Sequence, residues 1–202
     1  MPKVSNEHKQ ERRDQIMLAA AKCFSEKGFH ACSMQDICHE AELSPGAVYS
    51  YFQGKEQIIQ SMVESSKARQ DEVFARLNIE TGSVRAAIGQ LKDFYFGQIS
   101  TEPEAITCMR MDLMLVTEGL TDMKLMQLYQ GVVGKLVDTM AELLRQGKVN
   151  GELKPDVDET AAAQALYALH QGLIAQVLIQ QTVDMKAYHG VLDAMIDGLF
   201  NN

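Results

Sequence analysis

The stretch that decides the fold is SMQDICHEAELSPGAVYSYFQGKEQII, residues 33–59. Ser33 followed three residues later by Asp36 is the signature of a capping box, and Ile37 and Ala41 then fall on one face of a short helix. A three-residue turn, Glu42 to Ser44, ends it. Ser44 caps again, with Pro45 at the first helical position, where its fixed φ helps and its missing N–H costs nothing. The helix that follows is about two turns long, through Phe52, before Gly54 breaks the chain. Two short helices joined by a tight turn make a helix-turn-helix, with the later helix placed to enter a major groove.

On the N-terminal side, Ile16, Ala19, Ala20, Cys23 and Phe24 recur at threes and fours over residues 12–27, and Gly28 stands where a C-terminal cap belongs. On the C-terminal side, a long amphipathic helix is expected from Lys55 to about Leu77, with Ile58, Met62, Phe74 and Leu77 among its apolar positions. Gly82, Pro103 and Gly119 divide the next region into shorter helices. Leu125, Leu128, Val132, Leu136, Met140 and Leu143 mark one buried face of a long helix that stops at the Asn150-Gly151 turn.

The last two helices have a different texture. Ala161, Ala165, Ala168, Gly172 and Ala175 follow one another at threes and fours beside a larger stripe of Leu166, Leu169 and Leu173. Asp184 caps a final helix carrying Tyr188, Leu192, Met195 and Leu199. Small residues in this rhythm let two helices approach closely. The pair reads as a subunit interface, the alternative being that it only closes the core of the monomer. With four prolines and no sustained strand alternation, the chain is expected to be all-α, with about nine helices.

The 202 residues carry 27 Asp+Glu against 19 Lys+Arg, a formal charge of -8, and a pI near 5.1. Taken as a total, that argues against a nucleic-acid partner. By region it does not: residues 1–55 hold seven Lys/Arg and seven Asp/Glu, so the body carries the whole excess. Four of those seven cations lie between Lys3 and Arg13, which leaves room for a local positive face. Few phosphate contacts, weak non-specific affinity and a shallow salt slope are expected. No apolar run approaches the roughly 18 to 20 residues of a membrane span, and the N-terminus is polar, so the expectation is a soluble cytoplasmic protein with no membrane partner. Cys23, Cys32, Cys38 and Cys108 show no C-x-x-C pairing and read as reduced thiols. No phosphate-binding Gly loop, H-E-x-x-H or nucleophile motif occurs, so neither an enzyme nor a cofactor is expected.

Residues 33–59 closely resemble the DNA-binding signature of the TetR family of transcriptional repressors. There a capped helix, a turn, a short recognition helix and an aromatic-rich segment ending in Lys-Glu succeed one another. The resemblance is detailed over the first quarter to third of the chain. It extends to the remainder in length and all-helical layout, and loosely to GELKPDVDETAAAQALYALHQGL. It implies a homodimer. Each subunit would have a three-helix DNA-binding head over residues 1–55, with the helix-turn-helix at about 33–52, and a ligand-binding and dimerisation body over 56–202. The partners it implies are a double-stranded operator with (pseudo)palindromic half-sites and a small, largely apolar effector.

The family's roles map onto Ser33, which would donate to a phosphate at the start of the second helix, and onto Tyr49, Tyr51 and Lys55, which would grip the backbone without reading sequence. Tyr49 and Tyr51 could equally pack inside the head, and Phe52, Ile37, Ala41, Leu43 and Val48 read as core. Base reading falls to Ser44, Pro45, Gly46, Ala47 and Ser50. None of these can make a bidentate bond to guanine or adenine. Specificity therefore leans on thymine methyls, Ser hydroxyls and DNA shape, with Arg12 or Arg13 and the arm before them reaching phosphates or a minor groove. Glu42 stands where the family usually has Gly, and costs about 1 kcal/mol if the turn needs φ > 0.

For the effector, Met62, Phe94, Tyr95, Cys108, Met109, Met111, Met114, Met126, Tyr129, Tyr167, His170 and Gln171 supply an apolar, deformable lining with polar tips. For any one of them taken singly, plain core is the default reading, since a Met or aromatic at helical spacing packs in the core. Arg110 is either solvated or the counter-charge of an anionic ligand. Two other readings stand beside a ligand-released repressor. A thiol- or metal-responsive regulator would use Cys32, Cys38, His39 and His30, whose spacing matches no common zinc pattern. A helical interaction protein without DNA binding would make the segment from Tyr49 to Lys55 a coincidence.

Overall fold

The computed structural model describes residues 6–77, 82–180 and 182–201. Among them are nine α-helices: α1 Asn6–Lys27, α2 Met34–Glu40, α3 Pro45–Tyr49, α4 Lys55–Arg76, α5 Val84–Phe96, α6 Pro103–Gly119, α7 Met123–Val149, α8 Glu159–Gln180 and α9 Met185–Asp197. The all-α expectation holds. The arm before Asn6, with Lys3, lies outside the described residues.

Two compact units divide the chain. One comprises residues 1–68 and 110–129, the other 69–109 and 130–202. These limits differ from a division at residue 55, because α4, α6 and α7 each continue from one unit into the other.

In the first unit α1 packs on α2 and α2 on α3 around Ile16, Ala20, Phe24, Ile37, Val48, Phe52 and Ile58, all fully buried or nearly so. Leu43, expected with them, is half-buried. Gly28 ends α1 at φ +80°, the left-handed position that terminates helices most cheaply in glycine. Ser33 caps α2 through both halves of the capping box. The turn after α2 does need a positive φ, and Glu42 supplies it at 53°. Ser44 caps α3, with Pro45 in its first turn. Regular helix stops at Tyr49 rather than Phe52; the Ser50 hydroxyl turns back to the Ala47 carbonyl at 2.6 Å, and the chain leaves by a turn.

The second unit closes through its ends. Gly151, at φ +75°, turns the chain after α7. Residues 152–154 then lie against the C-terminal tail, with Asn201 N–H donating to Glu152 at 2.7 Å and Lys154 N–H to Leu199 at 3.0 Å. Desolvation pushes the Glu152 carboxyl up, but the Val84 and Arg85 N–H groups at the start of α5, with the Ser83 and Asn150 side chains, together outweigh it and hold the carboxyl below the usual range.

α8 carries two unlike stripes. Leu166, Leu173, Ile174 and Val177 are buried within the subunit, while Ala161, Ala165, Ala168 and Gly172 are exposed. Contrary to expectation, residues 159–179 are long and apolar enough to meet the composition of a membrane span, although largely unburied. On α9, Leu192 and Ile196 point inward, whereas Val191 and Met195 are 62% and 50% exposed.

Candidate nucleic-acid interface and effector pocket

The surface around the recognition helix is fixed by a small polar scaffold. Lys27 Nζ lies 2.6 Å from Asp36, and Asp36 in turn accepts from the Ser33 N–H and the Ser33 hydroxyl at 2.8 and 2.6 Å. Lys27 first, and Ser33 after it, hold this carboxyl far below the ordinary carboxylate range. The Ser33 hydroxyl, expected to donate to a phosphate, gives its proton to Asp36 in this structure. Lys55, expected to grip the DNA backbone, also has partners within the head. Its ammonium donates to the carbonyls of Phe29 at 2.6 Å and Cys32 at 2.7 Å and lies 4.6 Å from the centre of the Phe29 ring. It ties α4 to the loop before α2 and so positions that helix.

The two arginines have partners within the head too. Arg13 donates to the Ser61 hydroxyl at 2.9 Å with its guanidinium 4.6 Å over the Phe52 ring, so it buttresses the head instead of reaching outward. Arg12 donates to Gln15 at 2.7 Å along its own helix and keeps part of its surface open.

Ser44, Pro45 and Gly46 are exposed and Ala47 is half-exposed. The Ser44 oxygen accepts from the Ala47 N–H at 3.3 Å, which caps the helix and leaves the hydroxyl proton to give. The Ser50 hydroxyl, turned back to Ala47, has none left. Tyr49 is 44% exposed, so it does not pack inside the head, and Tyr51 is half-buried beside it. Gln35, His39 and Gln53 are also exposed on α2 and just past α3. They were missed because exposure of a polar residue beside a recognition helix depends on the turn geometry and leaves no periodic signal.

Cys23, Cys32 and Cys38 are buried and Cys108 is exposed. Burial pushes the Cys32 thiol up to about 12, and Cys23, which hydrogen-bonds it, is raised for the same reason. Thiols so far from the thiolate are poor nucleophiles and poor metal ligands. Among the described residues no group of three or more His, Cys, Asp or Glu is placed to hold a metal ion.

A narrow apolar slot lies within the second unit. Ile88, Leu91, Lys92, Tyr95 and Phe96 of α5, Leu136 and Met140 of α7, Leu166, Tyr167 and His170 of α8, and Ile196 of α9 line it. Its volume of about 20 Å³ is room for little more than one water, far below a ligand site, so an occupant must open it. Of the expected pocket residues only Tyr95, Tyr167 and His170 line the slot. Phe94 packs edge-on to Tyr95 at 5.0 Å, Gln171 donates to the Tyr167 hydroxyl at 3.0 Å, and Met109 is buried elsewhere in that unit. Met62, Arg110, Met111, Met114, Met126 and Tyr129 belong to the first unit, and Arg110 and Cys108 are exposed. A wider open groove along α7, Gln130 to Gln146, is lined mainly by polar residue types and holds none of the expected residues.

Tyr95, His170 and Lys92 of the lining carry polar groups with defined surroundings, and Gln70, outside the lining, bonds one of them. Gln70, 4% exposed, donates from its amide nitrogen to the Tyr95 hydroxyl at 3.1 Å and toward the Val132 carbonyl at 3.5 Å. His170 sits edge-on to Tyr95 and Phe96, with ring centres 5.9 and 5.4 Å apart. Burial lowers its pKa to about 4, so the ring is neutral. Lys92, its side chain 12% exposed, is held by Asp193 at 2.6 Å and Asp93 at 2.9 Å.

The expected interface is narrower than its sequence stripe. Leu192 is buried inside the subunit, the Tyr188 hydroxyl donates to the Leu169 carbonyl at 3.3 Å, and Ala175 and Leu199 are half-buried. Ala161, Ala165, Ala168, Gly172 and Met195 remain open, joined by Val191 and Ile179.

Comparison with known proteins agrees with this geometry. A family model described as "Bacterial regulatory proteins, tetR family" matches residues 16–62, and one described as "BetI-type transcriptional repressor, C-terminal" matches residues 87–201. The HTH-type transcriptional regulator UidR of Escherichia coli K12 is 26% identical over 194 residues, 94% of this chain and 93% of that one. The fold is shared with the fatty acid degradation regulator FadR from Bacillus halodurans, at a TM-score of 0.78 and 22% identity over 97% of both chains. It is shared as well with the transcriptional regulator FadR from Bacillus subtilis in complex with stearoyl-CoA, at 0.75 and 20% over 91% of this chain and 96% of that one. With both its helix-turn-helix and its C-terminal body matched, the chain belongs to the TetR family and is a DNA-binding transcriptional regulator.

Proposed function

We propose that this chain is a homodimeric repressor that a small, largely apolar effector releases from its operator. The observation that carries the reading is the helix α8. Its small residues Ala161, Ala165, Ala168 and Gly172 face outward on one of the most apolar stretches of the chain, together with Val191 and Met195 of α9. A contiguous apolar face of this kind is covered in a functioning soluble protein, and a face of small residues suits a second copy of the same helix pair. Two-fold symmetry then presents two α3 helices to half-sites roughly 34 to 36 Å apart on a (pseudo)palindromic operator in the cytoplasm.

On that operator Ser44, Pro45, Gly46, Ala47 and Tyr49 form the reading face, and the free N–H groups at the start of α2 meet phosphate. Arg12 is the remaining arginine candidate for the backbone. The α4 helix begins at Lys55, which holds the loop before α2, and runs as far as Gln70, which holds Tyr95 at the slot. An occupant that parts Tyr95 from its neighbours acts on that helix. It weakens DNA binding by its differential affinity for the two states and by no more. One similar structure holds stearoyl-CoA, and an apolar effector is the reading the slot's lining supports here. A mobility-shift titration on the DNA upstream of its own gene tests the whole. A sequence-dependent shift is expected at nanomolar dimer. A tight ligand that leaves the shift unchanged would rule out the release step.

A further inference from the structure

We infer that Gln35 reads an adenine in each operator half-site, its side-chain Nε2 donating to the base N7 and its Oε1 accepting from the N6 amino group. The inference rests on α3 entering the major groove, and adds to that reading face a residue of α2. It starts from the hydrogen bonds of the head. The side chains that pair with adenine by two bonds are Asn and Gln, and residues 7–68 hold six glutamines and no asparagine. Five of the six are tied to the protein. Gln10 donates to Asp14, Gln15 to the Ala41 carbonyl, Gln53 to the Tyr49 carbonyl and Gln60 to Glu64, while the Gln57 oxygen accepts the Gln53 N–H. Among the described residues of the head, Gln35 is the one glutamine whose amide nitrogen and oxygen both lack a partner, and it is exposed.

Its place on α2 is set by its neighbours. Asp36 and Glu40 face α1, where Lys27 and Lys22 hold each at 2.6 Å. Ile37, Cys38 and Ala41 are buried. That leaves Gln35 and His39, four residues apart, on the exposed flank. Gln35 lies inside the capping box of Ser33 and Asp36, so its backbone is held while its side chain is free. The first turn of α3 is Pro45, Gly46 and Ala47, with Ser44 before it. With so little side chain between α3 and the groove floor, the two come close, and the first turn of α2 is lowered toward the base edges. Glutamine, with two methylenes before its amide, spans the remaining gap. The chemistry of the amide then selects the base. Adenine offers an acceptor at N7 beside a donor at N6, which match both halves of the amide, whereas guanine would set its O6 lone pairs against Oε1. A phosphate would use only the donor half and leave Oε1 facing an anion.

Selection from a pool of random-sequence duplexes tests this, run with the full-length unaltered protein and with Gln35→Ala. The unaltered protein is expected to enrich a half-site that holds adenine at one position. Gln35→Ala should lose the preference at that position and keep the others. In a second measurement 7-deazaadenine replaces each half-site adenine of the selected duplex in turn, which removes the N7 acceptor and keeps the Watson–Crick pair. At one position the unaltered protein should bind at least about fivefold more weakly, the factor one hydrogen bond is worth. Gln35→Ala should bind that duplex within about twofold of the natural one. The result on the unaltered protein stands whether or not the variant folds. If no 7-deazaadenine weakens binding, or if Gln35→Ala weakens every sequence alike as the loss of a phosphate contact would, the adenine contact is overturned and the α3 reading face stays in place. A pool from which the unaltered protein enriches no half-site would overturn that reading face and the inference with it.

Discussion

Lys55 Nζ donates to the carbonyl of Cys32 at 2.7 Å, one residue before the cap of α2. With the bond to Phe29 and the ring beneath it, the ammonium acts as a bolt between α4 and the loop that aims the second helix. Lys55→Met keeps the stem and removes the bolt. It is expected to destabilise the protein by about 1–3 kcal/mol and to weaken operator binding. The slope of log affinity against log salt should stay as in the unaltered protein, since no phosphate contact is removed. A slope shallower by about one unit would show that Lys55 grips DNA after all.

Gly46 has open space on all sides where a Cβ would be. In the free protein Gly46→Ala is therefore neutral or stabilising by up to about 1 kcal/mol, from helix propensity alone. If the start of α3 lies against base edges, the added methyl meets DNA. Operator affinity is then expected to fall at least about tenfold while the thermal midpoint does not drop. Both are read from one preparation, by denaturation and by mobility shift.

What was legible in the sequence was what is decided within a few residues. The Ser33 and Asp36 box, the Gly28 stop, the Ser44-Pro45 start and the positive φ at Glu42 all depend on neighbours three or four positions away. Lys55, Arg13 and Ser33 were assigned to DNA because their type and place suit it. In the structure Lys55 and Arg13 bond Cys32 and Ser61, partners chosen by packing 23 and 48 residues distant, whereas the Ser33 bond to Asp36 belongs to the capping box itself. Most of the expected pocket residues lie away from the slot for a related reason. Met111 and Met114 are at core spacing and are core, but spacing alone does not say which unit they serve. Tyr95 and His170 could be found because an aromatic and an imidazole amid aliphatic residues need polar partners wherever they are buried.

Two buried groups should give opposite pH responses. Burial lowers His170 to about 4, so the unfolded chain binds the extra proton and stability is lost as pH falls from about 6.5 to 4. Burial raises Asp112 to about 6, so its carboxyl favours the folded state below about pH 4, and that contribution is lost as pH rises through 6. Each is on the order of 3 kcal/mol. His170→Phe should remove the acid-side loss, and Asp112→Asn should raise stability at pH 7. Urea denaturation at intervals from pH 4 to 8 separates them; unchanged profiles in both variants would show that neither group is desolvated as described.

The four thiols should divide by burial. With a disulfide reagent such as Ellman's in excess, Cys108 is expected to react at once and Cys23, Cys32 and Cys38 only as fast as the head opens. Operator affinity after the first thiol reacts should equal that before it. A fast second thiol, or loss of DNA binding at one equivalent, would revive a thiol-responsive regulator.

The α8 face makes the firmest demand. Ala168 is exposed on it beside Ala165 and Gly172, and two copies related by a two-fold axis bring the same small residues together. Ala168→Glu sets two carboxylates and two longer side chains where close approach is needed, so sedimentation at micromolar concentration should show monomer, with the far-ultraviolet spectrum of the folded chain retained. Operator affinity should collapse at least about a hundredfold, because one head makes half the contacts and the register between half-sites is lost. Gln130→Glu, an exposed change of equal charge on α7, should alter neither. A dimer that survives Ala168→Glu would mean that the apolar face of α8 is covered by something other than a second copy of this chain.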